Sequence, residues 1–164
     1  MAEGEEFDVA VSFADEDRPY VERVVRELQR KGARVFYRPD RDVELWGKDR
    51  VAEFDDVFQR RSRSVVIFVS RHSVDDDWTR LELRSALARA SSVRHPYVLP
   101  ARFDDSPLPG LPDTVSPIHC NKTTPEELAR MVWAKLALRD ADRRALSPGW
   151  SLPGGGGPSP STGR

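Results

Sequence analysis

Ser64-Val65-Val66-Ile67-Phe68-Val69-Ser70 runs directly into Arg71-His72-Ser73-Val74-Asp75-Asp76-Asp77 and then Trp78-Thr79-Arg80-Leu81-Glu82. The first piece holds an unbroken β-branched and aromatic run, Val65 to Val69. A run without alternation fits a strand buried on both faces, as in a parallel sheet. The aspartates after it suit a helix start, because a carboxylate accepts bonds from the free N–H groups of a first turn. A helix beginning near Asp77 sets Trp78 and Glu82 one turn apart on one face. A carboxylate and a large aromatic then lie just past the C-terminal end of a central strand, the edge where open α/β sheets bind ligands. The plainer alternative is an exposed glutamate beside a core tryptophan.

Working outward toward the N-terminus, residues 48–61 carry Val51, Phe54, Val57 and Phe58 on one side and predict a helix. Before it, Arg38 to Gly47 is a long polar connection in which Leu45 and Trp46 are awkward for solvent. They either fold back onto the body or meet a partner. Arg34 to Tyr37 reads as a short strand. Ahead of it, a helix from about Asp17 to Pro19 presents Val21, Val24, Val25 and Leu28, and Gly32 ends it. Phe7 to Phe13 reads as the first strand.

On the C-terminal side, the helix from Asp77 extends to about Ala90. Pro96 to Arg102 reads as a fourth strand whose prolines belong at its ends. A turn-rich segment from Asp104 to Pro117 leads to a short fifth strand near Ile118. Thr124-Pro125-Glu126-Glu127 combines an N-cap, a first-turn proline and a capping box. Leu128, Met131, Val132 and Leu136 give the last helix its apolar side. From Ser147 the chain is rich in Pro, Gly and Ser and is expected to be disordered. The division is an acidic N-terminal tail (1–6), one domain (7–138) and a Pro/Gly/Ser-rich C-terminal tail expected to be disordered (139–164).

Strands alternating with helices predict an α/β fold: a doubly wound parallel sheet of five strands, order 2-1-3-4-5, with helices on both faces. Its switch point lies between the first and third strands. The loops there are Ala14 to Asp17 and Arg71 to Asp77.

Composition limits the functions. The chain has 164 residues, 26 basic and 27 acidic, for a net charge of -1. That balance gives no electrostatic case for nucleic acid or an anionic membrane. Cys120 is the only cysteine, which excludes an intrachain disulfide. His72, His95 and His119 lack ligand spacing, so no metal site is expected. The acidic start, without an apolar core, is not a signal peptide, and no apolar run spans a membrane. The expectation is a cytoplasmic protein.

The motifs together resemble the Toll/interleukin-1 receptor (TIR) domain family, in its prokaryotic-type branch. Phe7-Asp8-Val9-Ala10-Val11-Ser12-Phe13-Ala14-Asp15-Glu16-Asp17 resembles the family's first motif. Leu45-Trp46-Gly47-Lys48-Asp49 is similar to its second-motif loop. Ser70 with Trp78 to Glu82 resembles the segment where catalytic members place a glutamate four residues after a tryptophan. Tyr97 to Asp105 and Pro109-Gly110-Leu111-Pro112 extend the likeness, which covers about Phe7 to Leu138.

The resemblance implies a flavodoxin-like sheet and one of two activities. Some members are non-catalytic adaptors that signal by self-association. Others cleave the nicotinamide–ribose bond of NAD+, giving nicotinamide and ADP-ribose or a cyclic form. For cleavage, Glu82 matches the catalytic glutamate, and its place early in a helix modestly favours ionisation. Phe13, Ala14 and Asp15 would line the crevice, with Trp46 and Gly47 from the second-motif loop and Trp78 beside the nicotinamide. No glycine-rich dinucleotide fingerprint is present, so NAD+ would be a substrate and no cofactor is expected. The second-motif loop lacks the Pro-Gly of many animal receptor members, and Phe13-Ala14 stands where many members are more polar. A phospho-accepting receiver domain fits less well, because Ser70 ends the third strand where an acceptor aspartate belongs.

Overall fold

The computed structural model describes residues 4–93 and 96–146. The tail expected from Ser147 onward lies outside them. Five parallel strands form one sheet in the order β2-β1-β3-β4-β5. They are β1 (Val9–Ser12), β2 (Val35–Phe36), β3 (Val65–Val69), β4 (Val98–Arg102) and β5 (Ile118–His119). The helices are α1 (Arg18–Arg30), α2 (Asp42–Leu45), α3 (Arg50–Asp56), α4 (Arg71–Val74), α5 (Asp77–Ala90) and α6 (Pro125–Leu146). The expected doubly wound, flavodoxin-like sheet is therefore the one observed.

The apolar run of β3 sits at the centre, paired with β1 on one side and β4 on the other. Its side chains alternate between two cores. Val66 and Phe68 join the core that contains Val21, Val24, Val25 and Leu28 of α1 and Leu128, Val132 and Leu136 of α6. Val65, Ile67 and Val69 join the opposite core, with Phe54 of α3 and Leu83 and Ala86 of α5. Burial on both faces is what removed the polar alternation from this strand.

Several local expectations change. Val51, expected on the packed face, is half exposed. Asp49 caps α3 through the N–H groups of Val51 and Ala52, so Val51 lies in the first turn, outside the packed stretch that begins at Phe54. Val57–Arg61 continues α3 as a π turn, which keeps Val57 and Phe58 buried. Pro100, expected at a strand end, lies inside β4 opposite Ile67. It is tolerated because β5 begins its pairing only at Ala101, leaving the ladder open on that side. Arg38–Gly47 is not one loop but a 3-10 turn (Arg38–Arg41) and α2. Leu45 folds back into the core while Trp46 stays 87% exposed. The last helix continues to Leu146, so residues 139–146, expected in the disordered tail, are helical.

Candidate active site

Parallel strands put all their C-terminal ends on one edge, and Asp15, Trp78 and Glu82 of the residues singled out in the sequence lie there. Ser12 closes β1, Arg38 follows β2, Ser70 follows β3, and α5 packs against β1 and β4. Asp76 caps α5 by accepting from the Thr79 N–H at 3.1 Å. Thr79, Glu82, Leu83, Ser85 and Ala86 form its buried face, the three-and-four spacing of a helix laid on a sheet. Glu82 is on that face and only 2% exposed. The alternative of a surface glutamate is thereby removed.

The Glu82 carboxylate has two different sides. Ser12 donates its hydroxyl to Oε2 at 2.5 Å. Nη1 of Arg38 stands 4.0 Å from Oε1, an ion pair without a hydrogen bond. Arg38 also approaches Asp15 at 3.6 Å, donates to the Phe13 carbonyl at 3.4 Å, and lies over the Phe13 ring. Burial pushes the Glu82 pKa up to about 7; Arg38 and the Ser12 hydrogen bond pull the other way, and Asp76 and Asp15 add to the rise. The helix-start effect expected from sequence is thus outweighed by desolvation.

Above this group opens a cleft of ≈ 340 Å³ lined by Asp15, Glu16, Arg38, His72, Asp75, Asp76 and Trp78. Glu82 does not line it; the link is Arg38, a wall residue whose Nη1 is 4.0 Å from Glu82. Trp78 serves both readings made from sequence: it faces the cleft and meets Phe54 edge-on at 5.6 Å. Phe13 and Ala14 are buried at the end of β1, so only Asp15 of that trio reaches the cleft wall. Trp46 and Gly47 do not line it. Gly47 holds φ at +81°, a left-handed angle that turns the chain from α2 toward α3.

A second network braces the edge. Ser70 caps α4 and donates to Oδ2 of Asp17 at 2.6 Å, tying the end of β3 to the turn after β1. Asp104 accepts from the Arg71 N–H at 2.9 Å and holds the loop after β4 to the same corner. Burial raises the pKa of Asp17, against the Ser70 hydrogen bond.

Ser12 and Arg38 were not singled out from sequence. The signal for Ser12 was a polar residue closing an otherwise apolar strand. Arg38 had none, since it is one of many arginines in a polar connection. No group of three or more metal-ligating side chains occurs among the described residues, and no helix there is long and apolar enough to cross a membrane.

Residues 9–145 match the family model described as TIR domain. A 3' cyclic ADP-D-ribose synthase, AaTIR, from Aquimarina amphilecti is 44% identical over 131 residues, covering 80% of this chain and 40% of that protein. The NAD(+) hydrolase TirS from Staphylococcus aureus (strain MSSA476) is 33% identical over 98 residues, 58% of this chain and 33% of that protein. The chain thus spans well under half the length of either relative. Among solved structures, the TIR domain of the Toll-related receptor TRR-2 from Hydra magnipapillata superposes with a TM-score of 0.59 at 19% identity, over 83% of this chain and 98% of that one. A TIR-STING receptor from C. gigas gives 0.61 at 14% identity, over 83% and 41%. These two likenesses concern the fold.

Proposed function

The chain belongs to the TIR domain family, and from that premise we propose that it cleaves the nicotinamide–ribose bond of NAD+, with Glu82 as the catalytic group. The observation that carries this reading is the buried Glu82 carboxylate, one oxygen fixed by Ser12 and the other toward Arg38, which itself lines a cleft at the switch point of the sheet. The named activities of the two bacterial relatives support it.

The chemistry follows from charge. As the C1'–N1 bond breaks, its electron pair leaves with nicotinamide and neutralises the pyridinium ring. Positive charge is left on the ribose. A carboxylate fixed beside that ring stabilises the charge where it develops. Water then attacks C1' and loses a proton, giving ADP-ribose; attack by a hydroxyl of the same molecule gives a cyclic product instead. Arg38 must first swing from Oε1, because its guanidinium occupies the approach from the cleft. Trp78 offers a flat apolar wall for the nicotinamide, and Asp15 an acceptor for ribose hydroxyls. NAD+ enters as substrate and leaves as nicotinamide and ADP-ribose or its cyclic form, with no resident cofactor and no metal in this scheme.

Self-association is the second element. Val43 and Trp46 are each 87% exposed on the segment that starts at Arg38. Exposed apolar side chains of this size mark a contact surface, and a neighbouring copy is the partner proposed for it. The functional unit in this reading is 7–138, acting in the cytoplasm, with neither nucleic acid nor membrane as partner. The non-catalytic adaptor reading uses the same surface and leaves Glu82 without a task.

The deciding experiment incubates purified protein with NAD+ and follows free nicotinamide, in dilute solution and after forced clustering. The expected result is release by the wild type and a loss of at least ~100-fold for Glu82→Gln, the scale for one preorganised group. Equal rates for the two proteins would remove Glu82 from the chemistry. No release by either under clustering would favour the adaptor.

A further inference from the structure

We propose that Ser12 is the positioning residue for Glu82: its hydroxyl ties down Oε2, holds the group as a carboxylate, and leaves Oε1 as the oxygen offered to the ribose. This deepens the cleavage reading and rests on it.

The placement begins with the pleat of β1. Val9, Val11 and Phe13 point into the α1–α6 core, while Ala10 points into the α3–α5 core. Ser12 is two residues after Ala10 and therefore faces α5. Small side chains at Ala10 and Ser12 leave room for the Glu82 side chain to lie against the strand. Ser12 is 0% exposed, so no bulk water competes for either partner. An uncompensated hydroxyl there would be costly, and so would an uncompensated carboxylate. Each satisfies the other at 2.5 Å, the range of a charge-assisted O–H···O⁻ bond.

The two oxygens are thereby made unlike. Among the described residues, the hydrogen bond from Ser12 is the only one to this carboxylate. Oε2 carries it, and Oε1 stands 4.0 Å from the Arg38 guanidinium. When Arg38, a wall of the cleft, moves aside, the oxygen it leaves is Oε1, and Ser12 holds the other end against rotation. A contact on the ionised form also opposes the effect of burial. The groups facing Glu82 are Ser12 from β1, Asp15 from the turn after it, Arg38 from the segment after β2, and Asp76 from the start of α5. Ser12 and Arg38 favour the anion; Asp15 and Asp76 disfavour it.

A hydrogen bond that served folding alone would leave the pH profile of nicotinamide release where it is. A positioning bond must also move the ionisation of Glu82. The test therefore follows the Glu82 side-chain carboxyl by NMR titration in the full chain, labelled at glutamate δ-carbons, for wild type, Ser12→Ala and Ser12→Cys. The Glu82→Gln spectrum assigns the signal. Loss of the hydroxyl is expected to raise the Glu82 midpoint by about 1 pH unit. Ser12→Cys, with a weaker donor, should fall between. In parallel, nicotinamide release is measured from pH 5 to 9. Ser12→Ala should lose about fivefold in kcat at pH 7 and regain most of it by pH 9, with KM little changed. Unchanged midpoints in both variants would overturn the proposal. So would an activity loss of equal size at every pH. If the wild type releases no nicotinamide while the midpoints still shift, the cleavage reading fails and the hold of Ser12 on Glu82 stands.

Discussion

Arg38 closes over Glu82 without bonding to it. Its Nη1 is 4.0 Å from Oε1, and the same guanidinium leans on the Phe13 ring and toward Asp15. An ion pair at that distance is held by Coulomb attraction and has no directional bond to break. The contact suits a group that must leave when substrate arrives. It also keeps a cation beside a carboxylate that burial would otherwise neutralise.

Arg38→Met separates cover from charge. Methionine keeps an unbranched stem over Glu82 and removes the cation. The Glu82 pKa, already raised to about 7, should then rise further. The acid limb of nicotinamide release is expected to move up by about 1 pH unit or more, the range for losing one nearby opposite charge. Arg38→Lys should leave it near the wild-type position. A limb that does not move in Arg38→Met would mean the guanidinium is not an electrostatic partner of Glu82.

Burial of Glu82 also predicts a stability effect with a definite sign. The folded-state pKa is about 7 against 4.5 for the ordinary group, so the fold binds this proton more tightly than the unfolded chain does. The resulting stabilisation is complete below about pH 4.5 and is lost as pH rises to about 7. Glu82→Gln cannot ionise and can still accept from Ser12. The variant should be more stable than wild type at pH 8, by up to about 3 kcal/mol, and nearly equal to it at pH 4.5. Urea unfolding at the two pH values measures the difference. A Glu82→Gln variant less stable than wild type at pH 8 would contradict it.

The sheet order and the helix carrying Glu82 were legible because their causes are local. Val65 to Val69 shows its double burial directly in its composition, and Asp76 and Asp77 mark the start of α5 at the place observed. The four-residue step from Trp78 to Glu82 needed only helical geometry. Ser12 and Arg38 were not legible, because each acquires its role from residues far along the chain. Ser12 meets a partner 70 positions away. The depth of Glu82 was missed for the same reason: helix phase places it on a face, but only the packed sheet says that the face is closed. The split of Leu45 from Trp46 depended on α2, a single turn too short to show a periodicity.

The exposed Trp46 gives a prediction that is independent of Glu82. Its side chain touches solvent over most of its surface, so Trp46→Ser should leave thermal stability within about 1 kcal/mol of wild type. If the segment meets a neighbouring copy, the same change should weaken self-association and flatten the rise of activity with concentration. Sedimentation velocity over a dilution series, paired with nicotinamide release, reads both. Wild-type association and concentration dependence in Trp46→Ser would exclude this side chain from the contact.

The last prediction concerns where the functional unit ends. Sequence polarity suggests a boundary after Leu138, yet α6 continues to Leu146 and its last two turns carry an ion-pair network. The side chain of Glu5 is 8% exposed and accepts from Arg139 at 3.2 Å and Arg143 at 3.1 Å. Arg63, just before β3, pairs with Asp140 and with Asp8. Removing one partner from such a cluster is worse than removing all of it, because the remaining charges stay desolvated. Burial already lowers the Arg139 pKa. Glu5→Ala should therefore destabilise by about 2–4 kcal/mol, since it leaves Arg63, Arg139 and Arg143 facing one another. Truncation after Leu138 takes away two of those arginines and Asp140 together, and with two turns of helix gone water can reach the Glu5 and Arg63 left behind, so it should cost less than Glu5→Ala. Truncation after Leu146 should be neutral. Urea denaturation of the three proteins gives the ranking. A Glu5→Ala protein as stable as wild type would show that the network contributes nothing, and the boundary at Leu138 would then stand.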